Sequence, residues 1–357
     1  MGAASSALHS AASPAHLFFS AAGSPRVGAR SRGDGPASRA EETGAIASDP
    51  ETPSPRIAVP SASGARLARA YFALAGLTYA LIVLGALVRA HGAGLACPDW
   101  PLCFGEVVPR LDFKVAFEFG HRVVAGSVAI LFAALAIATL RRPELARASR
   151  RPLVIAAALL AVQIVLGGLT VLHLLATWTV TSHLLTGNAF ALALVLIGRR
   201  LRALARTGAV PASAPVGLRE RIVVSAAAAL LLCQIVLGGL VSSSYAGLVC
   251  PDWPTCANGA YFPTWSGIQG LHVLHRTLAY GLVLALPLAA LLVRRVPALR
   301  RLLALASGLA LAQAAIGVVN VLLRLPVEIT ALHSALAAAL FCTLGIALST
   351  AWQNARA

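Results

Sequence analysis

The chain has 357 residues, of which 58% are hydrophobic and only 12% charged, a balance that leaves too little charge to cover a water-soluble domain of that size. Its formal charge of +16 comes almost entirely from arginine. Those arginines punctuate long apolar runs and do not gather on one soluble face, which excludes a nucleic-acid partner and fits the basic flanks of membrane spans.

Residues 1–65 are rich in Ala, Ser, Gly and Pro and read as a disordered leader. Ser10, Pro14 and His16 interrupt the apolar core that a signal peptide would need. Met1-Gly2 with Ser6 matches a myristoylation pattern short enough to arise by chance. The Ser and Arg content also suits a mitochondrial transit peptide, against which Glu41, Glu42 and Asp49 stand.

Eight apolar stretches of spanning length follow, at about 68–89, 115–140, 152–173, 177–198, 221–241, 270–293, 301–323 and 328–350. They predict an all-α membrane protein of eight transmembrane helices. Within them, Gly167-Gly168 and Gly238-Gly239 suit close packing between helices. Alternate connections carry the positive charge: Arg141, Arg142, Arg147, Arg150 and Arg151; then Arg199, Arg200, Arg202, Arg206, Arg219 and Arg221; then Arg294, Arg295, Arg300 and Arg301. The intervening loops hold fewer, chiefly Arg110 and Lys114, with none between 242 and 269. Both termini are therefore expected on the cytoplasmic side, or in the matrix of a mitochondrion.

The chain repeats itself. Gly94-Leu-Ala-Cys-Pro-Asp-Trp-Pro-Leu-Cys103 recurs as Gly247-Leu-Val-Cys-Pro-Asp-Trp-Pro-Thr-Cys256, His121-Arg122 recurs as His275-Arg276, Gln163 as Gln313 and His183 as His333. Helices one to four thus correspond to five to eight, a parallel duplication of two four-helix bundles. The expected layout is a first half at 66–200, a cytoplasmic linker at 201–219, a second half at 220–352 and a tail at 353–357.

A histidine inside a bilayer is costly and marks a functional site by default. His121, His183, His275 and His333 lie on spans two, four, six and eight, each five or six residues from the same end, roughly 8–10 Å deep at 1.5 Å per residue. Two such imidazoles facing one another in a bundle can ligate a haem iron from both sides, and each half offers one pair. Hydrogen bonding between helices would be the plainer use of the same residues. Zinc or copper would want further ligands close by.

Arg122 and Arg276, next to two of these histidines, could meet haem propionates or snorkel to lipid headgroups. Glu118 lies one turn before His121, where the second half has His272. A carboxylate there can relay protons or orient water, which assigns chemistry to the first half and electron transfer to the second, although Arg110 or Lys114 could simply pair with it. His91 and His173 have no counterpart in the repeat and are read as structural. Cys97 with Cys103, and Cys250 with Cys256, enclose Pro-Asp-Trp-Pro turns and are expected as two disulfides, with metal binding or a redox-active thiol pair as other uses of the spacing. Cys233 and Cys342 fall inside spans and are read as packing residues.

Taken together, the duplicated eight-span layout, Glu118-x-x-His121-Arg122, His183, the pair His275 and His333, and the Cys-Pro-Asp-Trp-Pro loops resemble the haem A synthase family over about residues 66–352. That resemblance implies oxidation of the C8 methyl of haem O to a formyl group, with substrate haem O between His121 and His183, haem b retained between His275 and His333, Glu118 as the carboxylate near the substrate and Cys97 with Cys103 as the sensitive outer pair. It also implies haem O synthase as the supplier, cytochrome oxidase as the customer, a membrane electron donor or acceptor such as quinone, and a bacterial inner-membrane location with the mitochondrial one as the alternative. A homo-oligomer is compatible with all of this. Two other readings use the same histidines: a diheme quinol-linked electron carrier, and a non-catalytic haem transport or assembly protein.

Overall fold

The structure, a computed structural model, describes residues 62–207 and 216–353. The expected leader lies outside the described residues except for its last four, which already belong to the first helix. Eight α-helices follow: α1 Ala62–Ala90, α2 Phe113–Leu140, α3 Pro143–Leu172, α4 Thr177–Thr207, α5 Leu218–Ser243, α6 Gly267–Leu292, α7 Pro297–Leu322 and α8 Val327–Trp352. All eight are long and apolar enough to cross a bilayer. In hydrocarbon every backbone N–H and C=O must be satisfied within the segment, which is why apolar runs of this length become helices. Their ends are set locally: Asp112 Oδ1 accepts the amide of Val115 at 2.8 Å to start α2, and Pro143 and Pro297 occupy the first turns of α3 and α7, where no backbone donor is needed.

Two helices outrun their apolar stretches. α3 begins at Pro143 and takes in Arg147, Arg150, Arg151 and Pro152, while α4 continues to Thr207 through Arg199, Arg200, Arg202 and Arg206, seven residues into the expected linker. Hydropathy marks only the part in hydrocarbon; a helix keeps its own hydrogen bonds and continues through the headgroups, where arginine is welcome.

The helices pack as two bundles, α1–α4 and α5–α8. One core gathers Leu67, Tyr71 and Leu74 of α1 with Phe132, Leu153, Phe190 and Ile197. The other gathers Val224 and Leu231 of α5 with Leu286, Leu303, Leu344 and Ala347. The bundles meet through α1, α4, α5 and α8, with α1 on α8 and α5 on α4. There Tyr79 donates its hydroxyl to the Ala335 carbonyl at 2.9 Å, and Arg89 at the end of α1 hydrogen-bonds Ser242 O and lies over the Tyr245 ring.

The duplication extends to backbone detail that residue identity does not reveal. The turn from α3 to α4 places Leu174 and Leu175 at positive φ, and the turn from α7 to α8 does the same with Arg324 and Leu325. Side chains rarely adopt that conformation, so it needs external support. Gly94 supplies it to Leu175, and Gly247 to Leu325: a Cβ on either glycine would stand 3.4 or 2.9 Å from the leucine methyl groups.

Gly270, in the first turn of α6, is the tightest backbone contact to the outer loops: a Cβ there would lie 2.2 Å from the Trp265 carbonyl carbon. Backbone cannot step aside as a side chain can. Gly270→Ala should lower thermal stability in detergent by about 1–3 kcal/mol, and an unchanged melting temperature would show that this entry to α6 is not tightly held.

Candidate functional site

The four intramembrane imidazoles share one mode of seating. A Cβ built on Gly85 of α1 would lie 3.1 Å from His121 Cε1; on Gly167 of α3, 3.3 Å from His183 Cε1; on Gly238 of α5, 3.1 Å from His275 Cε1; on Gly317 of α7, 3.0 Å from His333 Cε1. Each ring therefore rests against bare backbone of the preceding helix, a closeness that any side chain at the glycine would prevent. His121 and His275 stand eight residues after Phe113 and Gly267, while His183 and His333 stand six after Thr177 and Val327. That is about 12 and 9 Å along their helices at the usual rise, and it is identical between halves. Within each half the pair is close enough to interact electrostatically, His121 with His183 and His275 with His333.

Two turns deeper the bundles close. Seven residues beyond each histidine stand Val128, Phe190, Leu282 and Leu340, all fully buried members of the two cores. One turn beyond each stand only Ala125, Gly187, Ala279 and Ala337. The rings thus lie above a packed floor among small residues. The donor set suits a metal already held by a planar macrocycle: two imidazoles per bundle, the Nδ1 atoms of His121, His183 and His333 buried with no hydrogen-bond partner, and no group of three or more His, Cys, Asp or Glu among the described residues.

Three glutamines accompany the rings. Gln163 lies 3.1 Å from His183 Nε2 and Gln234 lies 3.2 Å from His275 Nδ1, while Gln313 holds the corresponding position on α7. Each stands one turn before a seating glycine, whereas the corresponding residue before Gly85 is Leu81. Gln163 and Gln313 could be matched across the halves from sequence, but their role could not. The signal was a shorter repeat: Gln163-Ile-Val-Leu-Gly-Gly-Leu169 recurs as Gln234-Ile-Val-Leu-Gly-Gly-Leu240, linking α3 to α5 and crossing the half-to-half alignment. The paired glycines pack against side chains: beyond the seats themselves, Gly168 meets Trp100 and Gly239 meets Thr181.

Above the rings sit the two disulfide loops. Cys97–Cys103 and Cys250–Cys256 are both bonded, and all four cysteines are buried. Neither arginine snorkels outward. Arg122 donates Nη1 to the carbonyls of Asp99 and Leu102 at 2.8 and 2.6 Å, Nη2 to Cys97 O at 3.2 Å, and Nε to Glu118 Oε1 at 3.0 Å. Arg276 repeats this with Asp252, Thr255 and Cys250 carbonyls, its Nε pointing to His272 Nε2 at 3.1 Å. Four of five guanidinium donors are engaged in each case, leaving one for any propionate. The expected alternative partners of Glu118, Arg110 and Lys114, are not used; the ion pair is with Arg122, one turn along the same helix.

His272 takes the carboxylate's place as an acceptor. Its Nδ1–H donates to Ala246 O at 2.8 Å, and because Arg276 can only donate, Nε2 must be the lone pair. The first half therefore holds a charge-balanced pair, the second an unbalanced guanidinium. A further asymmetry concerns the loop tryptophans. Trp100 lies on Gly168 of α3, where the second half has Val318 after its seating glycine, and Trp253 turns instead to donate to Tyr280 Oη at 3.1 Å. His91 packs edge-on against Phe113 and tilted against Phe117, and His173 packs edge-on against Trp178. Cys233 is exposed on α5, and Cys342 lines an apolar cavity of about 250 Å³ between α1, α4 and α8.

These features define a polytopic α-helical membrane protein with two paired-histidine bundles beneath disulfide-bonded loops. The model of the family described as "Cytochrome oxidase assembly protein" matches residues 68–344. The chain belongs to that family. Its relatives include proteins named "Heme A synthase": that of Shewanella oneidensis is 31% identical, covering 75% of this chain and 91% of its own, and that of Halalkalibacterium halodurans is 30% identical, covering 74% and 90%. The Geobacillus kaustophilus protein of the same name is 30% identical, covering 80% and 92%.

The first disulfide loop is organised by Asp99, whose carboxylate accepts the amides of Gly105 at 2.8 Å and Phe104 at 2.7 Å. Those amides, with Arg122 nearby, hold the Asp99 carboxyl below its usual range. A depressed value means that the carboxylate's support for the loop is present above the ordinary aspartate value of about 4 and is lost as pH falls through the lower one. Hydrogen-exchange protection of the Phe104 and Gly105 amides should fall on acidification below that range, and Asp99→Asn should remove the dependence; equal profiles for the two proteins would refute the assignment.

Proposed function

We propose that this membrane oxidoreductase converts haem O into haem A by oxidising the C8 methyl to a formyl group through successive hydroxylations and loss of water. The observation that carries the reading is the pair of glycine-seated, equal-register histidine pairs, with an acid present beside only one of them. His121 and His183 would hold the substrate haem O, and His275 and His333 a resident haem b. When bound, haem b supplies one-electron transfer toward a membrane donor or acceptor such as quinone.

The protein's own part is positional. The imidazoles would hold the porphyrin, and the spare N–H of Arg122 or Arg276 is suited to a propionate. Glu118 Oε1 is tied to Arg122 Nε, which leaves Oε2 to take a proton or orient water on the substrate side. The disulfide loop, pinned by Arg122 and roofed by Trp100, shields that region from bulk water. Family membership makes the chain a cytochrome oxidase assembly protein; haem O synthase is the natural supplier, because a farnesyl-tailed substrate travels laterally in the bilayer. The disulfide face would be periplasmic and the arginine-rich face, with both termini, cytoplasmic in a bacterial inner membrane, as disulfide persistence and the positive-inside rule favour.

The test is to express the chain with a haem O synthase in cells lacking haem A and identify extracted haems by mass. Haem A or its hydroxylated precursor is expected; haem O alone on pigmented protein would contradict the reading. Glu118→Gln keeps an acceptor for Arg122 but no proton-accepting carboxylate, and should cut product at least about 100-fold with pigment retained. Undiminished product would remove Glu118 from the chemistry.

A further inference from the structure

Four helix pairs present the same device, a glycine on one helix and a histidine on the next, yet only three carry the glutamine that completes it. At His183 and His275 a buried amide reaches the ring, and Gln313 holds the same place, four residues before the His333 seat; the residue four before the His121 seat is Leu81, which has no polar atom. In the first case the amide is itself seated, since a Cβ on Gly187 would lie 3.1 Å from Gln163 Nε2. The Oε1 atoms of Gln163, Gln234 and Gln313 are all buried without a partner, as are the Nδ1 atoms of His121, His183 and His333.

An imidazole that binds a metal through one nitrogen carries hydrogen on the other, and that hydrogen needs an acceptor. Supplying one fixes the ring and raises its basicity; withholding it typically costs 10–100-fold in metal affinity. A glutamine amide turned over exchanges N for O with almost no change in shape, so each of the three can present Oε1 to its ring. Leu81 cannot.

Resting on the haem reading above, we propose that Leu81 makes His121 the exchangeable axial ligand of the first half, while Gln163, Gln234 and Gln313 are positioning residues that keep the other three imidazoles bound. The coordination position that His121 can release lies on the α2 side, where Glu118 stands one turn away on the same helix. Ligand exchange at His121 would thus take place on the helix that carries the acid. The second half, with a glutamine before both histidine seats and His272 in place of the α2 carboxylate, is built for inert electron transfer. This division rests on α1 and α5, independently of the Glu118 and His272 difference on α2 and α6.

The experiment is a carbon monoxide titration of the dithionite-reduced holoprotein, purified from cells that make haem O and haem b and followed in the Soret band. Wild-type protein should bind carbon monoxide at the first-half haem alone. Leu81→Gln should weaken that binding about 10-fold or more with haem content unchanged. Gln234→Leu, which copies the first-half arrangement into α5, should make the second haem reactive, and it decides the matter if Leu81→Gln does not accumulate. Carbon monoxide binding unaltered by both substitutions, or equal at both wild-type haems, or absent from both, would overturn the proposal while leaving the haem reading intact. Wild-type protein without pigment before any gas is added would overturn the haem reading and this proposal with it.

Discussion

Everything in this molecule is arranged around the contact between an imidazole ring and the bare backbone of the helix before it. Inside a bilayer, helices gain nothing from burying apolar surface against one another, so close packing and satisfied polar groups decide where they meet. Gly85, Gly167, Gly238 and Gly317 allow the ring edges of His121, His183, His275 and His333 to approach where any side chain would intrude. That contact joins α1 to α2, α3 to α4, α5 to α6 and α7 to α8 at one level. Beneath it, large side chains from Val128 to Leu340 close each bundle; above it, a disulfide loop is drawn down by three hydrogen bonds from one arginine.

On this symmetric frame the halves diverge through few substitutions, each changing a physical property at a fixed place. Glu118 against His272 changes the charge beside the arginine and keeps its hydrogen bond. Leu81 against Gln234 puts an apolar side chain where the second half has an amide at its ring. Gly168 against Val318 decides whether a loop tryptophan lies over the bundle. All three fall on the same side of the division, leaving the first half with the acid, the unsupported imidazole and the covered site. Duplication followed by local substitution thus leaves two bundles that share one frame and differ in charge and polar surroundings beside their histidines.

Much of this was legible in the sequence, for reasons that can be named. Apolar length dictates spans, so all eight helices were readable; repeated Cys-Pro-Asp-Trp-Pro and His-Arg elements revealed the duplication, and the cost of histidine in hydrocarbon singled out the four rings. The true ends of α3 and α4 were hidden because helices persist through headgroups on arginines that hydropathy assigns to loops. Arg110 and Lys114 stood as alternative partners of Glu118, but its ion pair is with Arg122, one helical turn along α2. The close-packing role of Gly167 and Gly238 and the match of Gln163 with Gln313 were readable, but Gln234 and the seats at Gly85 and Gly317 escaped: Gln163 to Gly167 on α3 answers Gln234 to Gly238 on α5, an alignment that comparison of whole halves passes over. The inward turn of Arg122 and Arg276 depended on carbonyl directions in the loops, which no residue type announces.

The central claim is that each bundle grips an iron porphyrin between its own two imidazoles. Haem content per chain, measured on purified protein in which His121 and His183, or His275 and His333, or all four, are replaced by alanine, tests it most directly. The account predicts that each double replacement abolishes one distinct haem and spares the other, and that the quadruple replacement is colourless. A full complement of pigment in the quadruple variant, or loss of both haems in step from either double variant that still folds, would contradict it.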